Sequence, residues 1–435
     1  MPRVAVIGGG LAGLATAAAL GSAGFEVDIY ESRNFLGGRA TSWPVAGNDS
    51  EIIDNCQHVL MRCCVNLLDL YNRLGATGKI QFHREFHFIE PGGRTSLLKR
   101  GMLPAPAHFA GSFLKLKFLN LSDKIAIARA MNAIPRERRI RTDLDRITML
   151  DWLKEKRQTP NAIERYWRQV LVSAINEELD RMAAAHGFQV FWLGMMARAD
   201  SYEMGIPNVP LRELYDEESL KRAGRIQIHP RSAITSITSS EGKVQAINEH
   251  TADYYVSALP FERLQPLIPD LPIDWTAFQH SPITGIHLWF DRPITNLPHA
   301  TLLDRTIQWM FNKKEGRHIQ VVVSASRSMV EMPKEAVIEL ALRELAEFFP
   351  AVAEAKLEKA QVIKEVRATF SARPGLEALR PTSITHLKNF FLAGDWTRSG
   401  WPATMEGAVR SGYLAAEAVA EAAGRPQRFL VPDIA

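Results

Sequence analysis

Apolar residues in the first thirty positions form two short runs separated by a stretch of small residues. Residues 4–7 and Glu26–Tyr30 are rich in β-branched side chains, as expected of strands buried on both faces. The small residues between them, up to about Ala23, have the composition of a helix that packs closely. The order strand, helix, strand predicts an α/β protein that begins with a parallel pair of strands joined by a helix.

Later stretches carry further structural predictions. Ser122 is a suitable N-cap for a helix over residues 123–134, which Pro135 would end. From about Gly205 the pattern changes to short strands, one of them at residues 234–237. An aromatic stripe within residues 149–196 has helical spacing, which predicts core packing, with part of the stripe lining a tunnel and Asn176 facing the pocket.

Three glycines between the first strand and the helix introduce candidate chemistry. Gly8, Gly10 and Gly13 have the spacing G-x-G-x-x-G, and Glu31 directly follows the second strand. Gly8 permits the tight turn, Gly10 lets the backbone approach a pyrophosphate, and Gly13 lets the helix pack close to the strand. The helix N-terminus offers N–H groups to phosphates, and Glu31 can accept hydrogen bonds from ribose hydroxyls. A dinucleotide site is predicted, the alternative being a glycine-rich turn in an α/β core.

A second pair of glycines, Gly37 and Gly38, precedes Arg39. This pair suits another backbone approach to the same dinucleotide, and Arg39 is expected at its phosphate or carbonyl groups. With the Gly-Gly-Arg segment, the N-terminal region resembles the flavin-dependent amine oxidase and phytoene desaturase superfamily. The resemblance implies that the cofactor is FAD.

The C-terminal region has a second motif of the same superfamily. Asp395 follows a short strand, and a helix is predicted to begin at Thr404 or Met405. An aspartate there can bind the ribitol of FAD, and the N–H groups at Met405 can face the N1–C2=O edge of the flavin. Glu406 has the default role of a first-turn acid. The sequence Gly-Trp-Pro-Ala-Thr-Met-Glu-Gly is most similar to the corresponding segment of the hydroxysqualene dehydroxylases, which are squalene-associated FAD enzymes of hopanoid-producing bacteria.

The resemblance also implies a domain organisation. A Rossmann-like FAD-binding domain of the amine oxidase type is expected, interrupted by an α+β substrate-binding domain. Ile234 is expected to offer its backbone to the adenine of FAD. The FAD-binding domain is predicted over residues 1–78, 205–280 and 363–435, and the substrate domain over residues 79–204 and 281–362.

The similarity to hydroxysqualene dehydroxylases implies reduction of hydroxysqualene to squalene by hydride from reduced FAD. An external reductant must then recharge the flavin, and an acid must protonate the departing hydroxyl. Asp54 and His58 are the candidate proton donors. They lie in the segment Asp-Asn-Cys-Gln-His, where Cys56 replaces a glycine common in that family. For His58, a structural role and a role facing flavin or substrate are both open.

Other functions remain open on the sequence alone. A carotenoid-type desaturase would run hydride in the opposite direction, and an amine oxidase would need an aromatic cage, for which Trp396 and Trp401 are available. Pro402 and the apolar, aromatic-rich middle of the chain favour an isoprenoid substrate over an amine. The last alternative is a non-catalytic FAD-binding protein.

Composition limits the remaining choices. The 435 residues are 46% hydrophobic and 23% charged, as in globular proteins, and the net charge of +4 does not indicate nucleic-acid binding. The three cysteines predict no disulfide framework and no metal site, because paired ligand spacing is absent; buried structural thiols are expected, with a reactive thiol as the alternative. We expect a cytoplasmic protein that contacts an anionic membrane surface through residues 108–119, where Phe109, Phe113 and Leu114 mix with lysines. The alternative is a helix whose apolar face packs inward.

Overall fold

The computed structural model describes residues 1–45 and 48–434. Contacts divide the chain into two units, each assembled from separated segments. The first unit contains Met1–Gln81, Gly205–Phe278 and Leu376–Asp433, and the second contains Phe82–Met204 and Gln279–Gly375.

Nineteen strands are present in the described residues. In chain order they are β1 (Arg3–Ile7), β2 (Glu26–Tyr30), β3 (Ser42–Val45), β4 (Asn48–Asp54), β5 (Leu60–Met61), β6 (Ile80–His83), β7 (Glu85–Ile89), β8 (Thr95–Lys99), β9 (Met204–Pro207), β10 (Arg225–His229), β11 (Ile237–Ser240), β12 (Lys243–Ile247), β13 (Tyr254–Ser257), β14 (His280–Phe290), β15 (His299–Leu302), β16 (Trp309–Lys314), β17 (His318–Ser324), β18 (Leu357–Phe370) and β19 (Phe390–Leu392).

Fourteen α-helices are present in the same described ranges. They are α1 (Leu11–Ser22), α2 (Val65–Arg73), α3 (Ala110–Leu114), α4 (Leu121–Ile140), α5 (Met149–Glu155), α6 (Pro160–Ala162), α7 (Gln169–Ile175), α8 (Ala184–Phe191), α9 (Glu217–Arg222), α10 (Phe261–Leu264), α11 (Lys334–Phe348), α12 (Ala351–Glu354), α13 (Leu376–Leu379) and α14 (Met405–Ala422). Two π-helical segments, Ile163–Arg168 and Trp192–Met196, extend this helical region.

The first unit is built on a parallel sheet of five strands in the order β10-β2-β1-β13-β19. Numbered by their order in the chain, these strands read 3-2-1-4-5. The order reverses between β1 and β13, and open parallel sheets bind ligands at the carboxyl ends of the strands at such a reversal. The structure therefore defines a ligand position where β1 and β13 end.

Helices α1 and α14 pack tightly together in this unit. The Thr16 hydroxyl donates to the backbone oxygen of Gly412 over 3.1 Å. A Cβ at Gly412 would lie 2.3 Å from the backbone oxygen of Ala12, so only glycine permits this approach. The two helices that follow the predicted cofactor motifs are thereby held against each other.

The second unit contains a sheet of seven strands in the order β18-β14-β17-β16-β15-β7-β8. One face packs against α11 through a continuous apolar cluster that includes Met310, Ile319 and Val321. Because side chains alternate along strands, Trp309, Phe311 and Gln320 lie on the opposite face.

The structure corrects the prediction for the helix after residue 120. Asn120 is the N-cap, and its side chain and that of Asp123 form a capping box, so α4 begins before the predicted position. Pro135 lies inside the helix, which continues to Ile140. Contacts beyond the proline hold this end, since Glu137 accepts from Trp152 and pairs with Lys156.

Two further expectations also need correction. The strand predicted at residues 234–237 begins only at Ile237, because the backbone N–H groups of Thr235 and Ser236 both donate to the side chain of Asn248. The third FAD-domain segment was predicted to begin at residue 363. That residue belongs to β18, which pairs along its length with β14, so the second unit extends to Gly375.

Candidate functional site

The first glycine motif forms a tight junction between β1 and α1. Gly8 has a φ of +105° and donates its N–H to the backbone oxygen of Tyr30 over 2.8 Å. A Cβ at Gly13 would lie only 2.0 Å from the backbone oxygen of Gly8. Gly10 is the N-cap of α1 and has no side chain to cap it, so the first N–H groups of the helix remain available to an anion.

The second glycine pair lies against this junction. The Gly37 N–H donates to the backbone oxygen of Gly9 over 2.8 Å, and a Cβ at Gly38 would lie 3.1 Å from Cα of Gly10. The structure thus brings together Gly8, Gly10, Gly13 and Gly38, which were predicted as cofactor contacts from two separate motifs.

Glu31 is buried at the end of β2. One carboxylate oxygen accepts from the Gly9 N–H over 2.8 Å, and the other accepts from the Arg33 N–H and the Ser32 hydroxyl. These contacts hold the carboxylate beside the glycine junction. Its predicted role in binding ribose stays a prediction.

Two buried hydroxyl groups near this junction have no hydrogen-bond partner among the described residues. Ser257 is the last residue of β13, at the reversal point of the sheet, and its hydroxyl is one of them. The other belongs to Tyr215, whose oxygen would lie 2.8 Å from a Cβ at Gly37. Burial raises the pKa of Tyr215, so its phenol remains a hydrogen-bond donor. Hydroxyl donors beside uncapped helix N–H groups fit the phosphates and ribose of a dinucleotide.

The C-terminal motif meets the N-terminal one through an ion pair. An Arg39 nitrogen lies 2.7 Å from each carboxylate oxygen of Asp395. The sequence predicted both residues as cofactor contacts without predicting this pairing. Gly394, with a φ of +141°, donates its N–H to the Ser411 hydroxyl and fixes the exit from β19.

Arg380 holds the loop that follows β19. Its buried guanidinium donates to the backbone oxygens of Asp395, Trp396 and Thr397. Burial lowers the pKa of this arginine, and Glu377 opposes that effect. One side chain thereby fixes three consecutive carbonyl groups beside a predicted cofactor contact.

Side-chain capping at the N-terminus of α14 satisfies only one of the first N–H groups of the helix. The Thr404 hydroxyl accepts from the Gly407 N–H over 3.0 Å, whereas the N–H groups of Met405 and Glu406 bond to no described residue. Two N–H groups at a helix N-terminus suit the electron-rich edge of a reduced flavin. Met405 therefore remains the predicted backbone contact.

Glu406 has a structural contact that the sequence did not predict. Its carboxylate accepts from the backbone N–H and the side-chain amide of Asn66, and from the backbone N–H of Leu67 at the start of α2. Burial raises the pKa of Glu406 to about 7. The side chain joins the first turns of α14 and α2.

Ile234, predicted to present its backbone to adenine, lies in the segment between β10 and β11. Its N–H and C=O groups make no hydrogen bond with the described residues, and Ser232, two residues earlier, donates its N–H to the backbone oxygen of Glu31. The segment is therefore attached to the end of β2 while the backbone of Ile234 remains available.

Asp54 and His58, the candidate proton donors, both have contacts within the first unit. Asp54 is buried and accepts from the Ser42 hydroxyl over 2.7 Å and from the Leu211 N–H over 3.1 Å. The Nδ1 of His58 lies 2.9 Å from the backbone oxygen of Cys56, which places its proton on that nitrogen.

All three cysteines lie within the described residues. Cys56 and Cys63 are buried, Cys64 is half-buried, and no disulfide joins them. Within the described ranges, no group of three His, Cys, Asp or Glu side chains is placed to hold a metal ion.

The two tryptophans considered for an aromatic cage are packed elsewhere. Trp396 is buried against Phe261 and Phe278, and its indole N–H donates to the backbone oxygen of Leu259. The Trp401 indole N–H donates to Asp433, and the Arg410 guanidinium lies 5.8 Å from its ring. Each indole therefore has a structural partner within the first unit.

Asn176 is not the pocket residue that was expected. It ends α7 with a φ of 59°, and its amide donates to the Ser281 backbone and the Thr369 hydroxyl. Its amide oxygen accepts from the Ala325 N–H. All three contacts bind the helix end to the large sheet.

Comparisons with known proteins identify the family of the chain. The family described as flavin containing amine oxidoreductase matches residues 11–420. Zeta-carotene desaturase of Synechocystis sp. is 28% identical over 96% of this chain and 97% of its own length. 15-cis-phytoene desaturase of Synechococcus elongatus is 25% identical, over 96% of this chain and 95% of its own length.

Solved structures show the same fold. An oxidoreductase from Methanosarcina mazei superposes with a TM-score of 0.72 at 19% identity, covering 94% of this chain and 98% of that one. Cyclohexylamine oxidase from Brevibacterium oxydans gives a TM-score of 0.65 at 17% identity, covering 98% and 100%.

The fold and the joined motifs define a dinucleotide-dependent oxidoreductase. The chain belongs to the flavin-containing amine oxidoreductase family. The predicted α/β fold with a Rossmann-like domain is confirmed, as is FAD as the cofactor.

Sequence reasoning missed several residues around the cofactor motifs. Tyr215 and Ser257 lie far along the chain from the N-terminal glycine motifs that they approach. Arg380 lies 15 residues before Asp395, whose backbone oxygen it contacts. No local motif marks any of the three. Arg33 had a signal, because it follows Glu31 by two residues in the segment that leads to the second glycine pair; its guanidinium lies 3.4 Å from the backbone oxygen of Gly38.

Proposed function

We propose that this protein is an FAD-dependent oxidoreductase that transfers hydride between its flavin and a long isoprenoid. The observation that carries the proposal is the similarity, over nearly the full length of both chains, to desaturases of zeta-carotene and phytoene. Bound FAD supplies the hydride acceptor or donor. The positions of Trp396 and Trp401 speak against the amine oxidase alternative.

The first candidate reaction is carotene-type desaturation, for which these relatives are the support. An isoprenoid C–C single bond becomes a double bond, one hydride goes to the flavin and one proton goes to solvent. A separate electron acceptor, such as a quinone, must then reoxidise the flavin.

The second candidate is reduction of hydroxysqualene to squalene. One support is the sequence of residues 400–407, which resembles that of the hydroxysqualene dehydroxylases. The other is a set of buried polar groups described below. The carbon–oxygen bond breaks, the hydroxyl leaves as water after protonation, and reduced flavin supplies hydride to the carbon. An external reductant recharges the flavin.

We assign roles in either reaction to residues of the first unit. The N–H groups at Met405 and Glu406 would stabilise negative charge on the reduced cofactor. The paired Arg39 and Asp395 would hold the ribitol and phosphate region. For reduction of the alcohol, His58 and Asp54 remain the proposed proton donors.

Product analysis tests the proposal. Protein reconstituted with FAD is incubated in detergent with phytoene, zeta-carotene, hydroxysqualene or putrescine, with dithionite supplied only for the alcohol and a quinone only for the others. A desaturated carotene supports the first reaction, and squalene supports the second. Turnover of putrescine alone, or of no isoprenoid, contradicts the proposal.

We also propose a membrane contact, at a surface that overlaps the predicted residues 108–119 and extends beyond them. Leu116, Phe118 and Leu119 of that stretch are buried, whereas Leu114 is exposed. Further exposed apolar side chains lie before and after the stretch, with basic neighbours. We call this surface the apolar–basic patch; it consists of Met102, Leu103, Leu114 and Leu121 with Lys99, Arg100 and Lys115.

Hydrogen bonds hold the segments of the patch together. The Ser112 hydroxyl donates to the backbone oxygen of Lys99, and the Lys124 ammonium donates to the backbone oxygen of Leu114. Exposed leucines among cations suit an anionic lipid surface. Among the described residues, no helix combines the length and apolar composition needed to cross a bilayer.

Vesicle sedimentation tests the patch. Leu114→Ser and Leu121→Ser are each expected to weaken binding to phosphatidylglycerol vesicles by about tenfold, because each removes one buried leucine from the bound state. Ile384→Ser, an equally exposed residue of the first unit, is the control. Equal binding by all variants would contradict this membrane contact.

A further inference from the structure

One face of the large sheet in the second unit carries buried polar atoms that lack partners. His299 is 1% exposed, and neither of its ring nitrogens has a hydrogen-bond partner among the described residues. The same holds for the hydroxyl of Thr301 and the amide oxygen of Gln320. Buried polar groups in native proteins are nearly always bonded, so these atoms indicate a position for a bound group.

Strand register places the three side chains on one face. His299 and Thr301 are two residues apart on β15, so they point to the same side. His299 pairs with Phe311, which pairs with Gln320 on β17. Met310, next to Phe311, belongs to the apolar cluster against α11, so this row faces away from that cluster.

Aromatic rings surround the imidazole of His299. The ring centroids of Phe86 and Trp309 lie 6.2 Å from its own, and that of Phe311 lies 6.4 Å away. His83 packs edge-on at 5.1 Å. Aromatic surroundings of this kind suit an apolar ligand that carries a single hydrogen-bonding group.

The charge state of His299 limits the ligand's chemistry. Burial, with the neighbouring His83 and His87, lowers the pKa of His299 to about 3. A neutral imidazole has one N–H donor and one acceptor nitrogen, which complements a hydroxyl group. It offers no positive charge to a phosphate or carboxylate.

Gln320 is oriented by a chain of side chains. Its amide nitrogen lies 3.2 Å from Nε2 of His287, whose Nδ1 lies 3.0 Å from Nε2 of His318. The amide nitrogen is therefore engaged on one side, and the amide oxygen remains as an acceptor on the same face as His299.

We propose that His299 and Thr301 bind the hydroxyl group of an otherwise apolar ligand, with Gln320 as a further acceptor on that face. The inference rests on the proposed function, since an isoprenoid alcohol is such a ligand. A hydrocarbon of the same shape leaves these buried atoms unpaired, so the alcohol binds more tightly. The subsite thereby favours the alcohol substrate of the second candidate reaction.

The test compares two ligands that differ by one hydroxyl. Equilibrium dialysis of the FAD-loaded protein, at one detergent concentration, measures the dissociation constants of hydroxysqualene and squalene. The wild-type protein is expected to bind the alcohol about tenfold more tightly. His299→Phe and Thr301→Val are expected to remove most of this ratio, because the alcohol loses a hydrogen-bond partner and squalene no longer leaves a buried polar atom unpaired.

Control variants separate hydrogen bonding from folding. Thr301→Ser keeps the hydroxyl and should keep the ratio, and Thr306→Val makes the same chemical change at an exposed position and should also keep it. Bound FAD and the unfolding midpoint report whether each variant is folded. If His299→Phe does not fold, the pair Thr301→Val and Thr301→Ser decides the question.

Every outcome decides the proposal. A wild-type ratio near one, no binding of either ligand, or a ratio that Thr301→Val leaves intact overturns it, and ordered water alone then satisfies these atoms. The proposed function is judged separately by product formation. If an isoprenoid is turned over but the variants keep the wild-type ratio of dissociation constants, only the subsite is refuted. If the variants lose that ratio but no isoprenoid is turned over, only the proposed function is refuted.

Discussion

Arg39 and Asp395 form an ion pair that joins the two cofactor motifs of the chain. The Arg39 guanidinium lies 2.7 Å from both carboxylate oxygens of a residue 356 positions away. Each residue belongs to a segment that carries a predicted FAD contact. The pair therefore fixes one motif relative to the other within the first unit.

A double-mutant cycle measures this coupling. We expect Arg39→Gln and Asp395→Asn each to weaken FAD binding, and the double variant to lose about 1 kcal/mol less than the sum. The coupling is modest because the Arg39 side chain is 37% exposed to solvent. Titration of the apoprotein with FAD gives the dissociation constants, and strictly additive losses would show that the pair contributes nothing to cofactor binding.

Gly13 is expected to tolerate no side chain. In Gly13→Ala the new Cβ would meet the backbone oxygen of Gly8 at 2.0 Å, which must displace the turn that approaches the cofactor. We expect a loss of about 1–3 kcal/mol in unfolding free energy and a large fall in bound FAD. Gly78→Ala, where a Cβ meets nothing within 4 Å, is the matched control. Normal FAD content in Gly13→Ala would refute the role assigned to this junction.

Arg380 is expected to contribute strongly to the stability of the folded protein, although no sequence motif marks its position. Arg380→Met leaves three loop carbonyls without their donor, and we expect the free energy of unfolding to fall by about 2–4 kcal/mol. Arg398→Met changes an exposed arginine of the same loop and should cost less than about 0.5 kcal/mol. Urea denaturation compares the two; similar losses would show that the buried contacts of Arg380 are not what stabilises the loop.

The stability of the protein should depend on pH through Glu406. Its pKa is about 7 in the folded chain, against 4.5 for an ordinary glutamate, so the folded state binds the proton more tightly between these values. Unfolding free energy is therefore expected to fall as the pH rises from 4.5 to 7, by about 3 kcal/mol, and to level off above.

Glu406→Gln isolates this effect. Its amide does not titrate, so the difference in unfolding free energy between wild type and variant should change by that amount between about pH 5 and pH 8. A constant offset between the two proteins is expected in addition, because the amide nitrogen opposes one N–H donor of Asn66 or Leu67. Parallel pH profiles would show that Glu406 keeps an ordinary pKa.

The first thirty-nine residues were the part best predicted from sequence. Strand β2 has the predicted bounds, and the glycines meet as their spacing implies. Local chemistry determines these features, because a turn that admits no Cβ is visible in the residue types themselves. The same reasoning wrongly ended α4 at Pro135. The helix continues to Ile140, since Glu137 contacts Trp152 beyond the helix.

Side chains that act at a distance along the chain escaped prediction. Ser257 approaches the first glycine motif because β13 pairs with β1 in the parallel sheet. Tyr215 and Arg380 lie outside that sheet, and the tertiary fold brings them to the second glycine pair and to the loop after β19. Asn176 shows the opposite error, since a polar residue late in an apolar helix can face a pocket or satisfy backbone groups. The sequence pattern does not distinguish these two roles.

The most direct measurement of the central claim is the direction of hydride flow in a single anaerobic turnover. Photoreduced enzyme is mixed with hydroxysqualene, and oxidised enzyme is mixed with phytoene or zeta-carotene, while the flavin absorbance is followed. An FAD-dependent isoprenoid oxidoreductase predicts that one of these mixtures changes the redox state of the flavin, with an equivalent amount of squalene or of desaturated carotene formed. A flavin that keeps its redox state in all the mixtures, or that putrescine alone reduces, would contradict the claim.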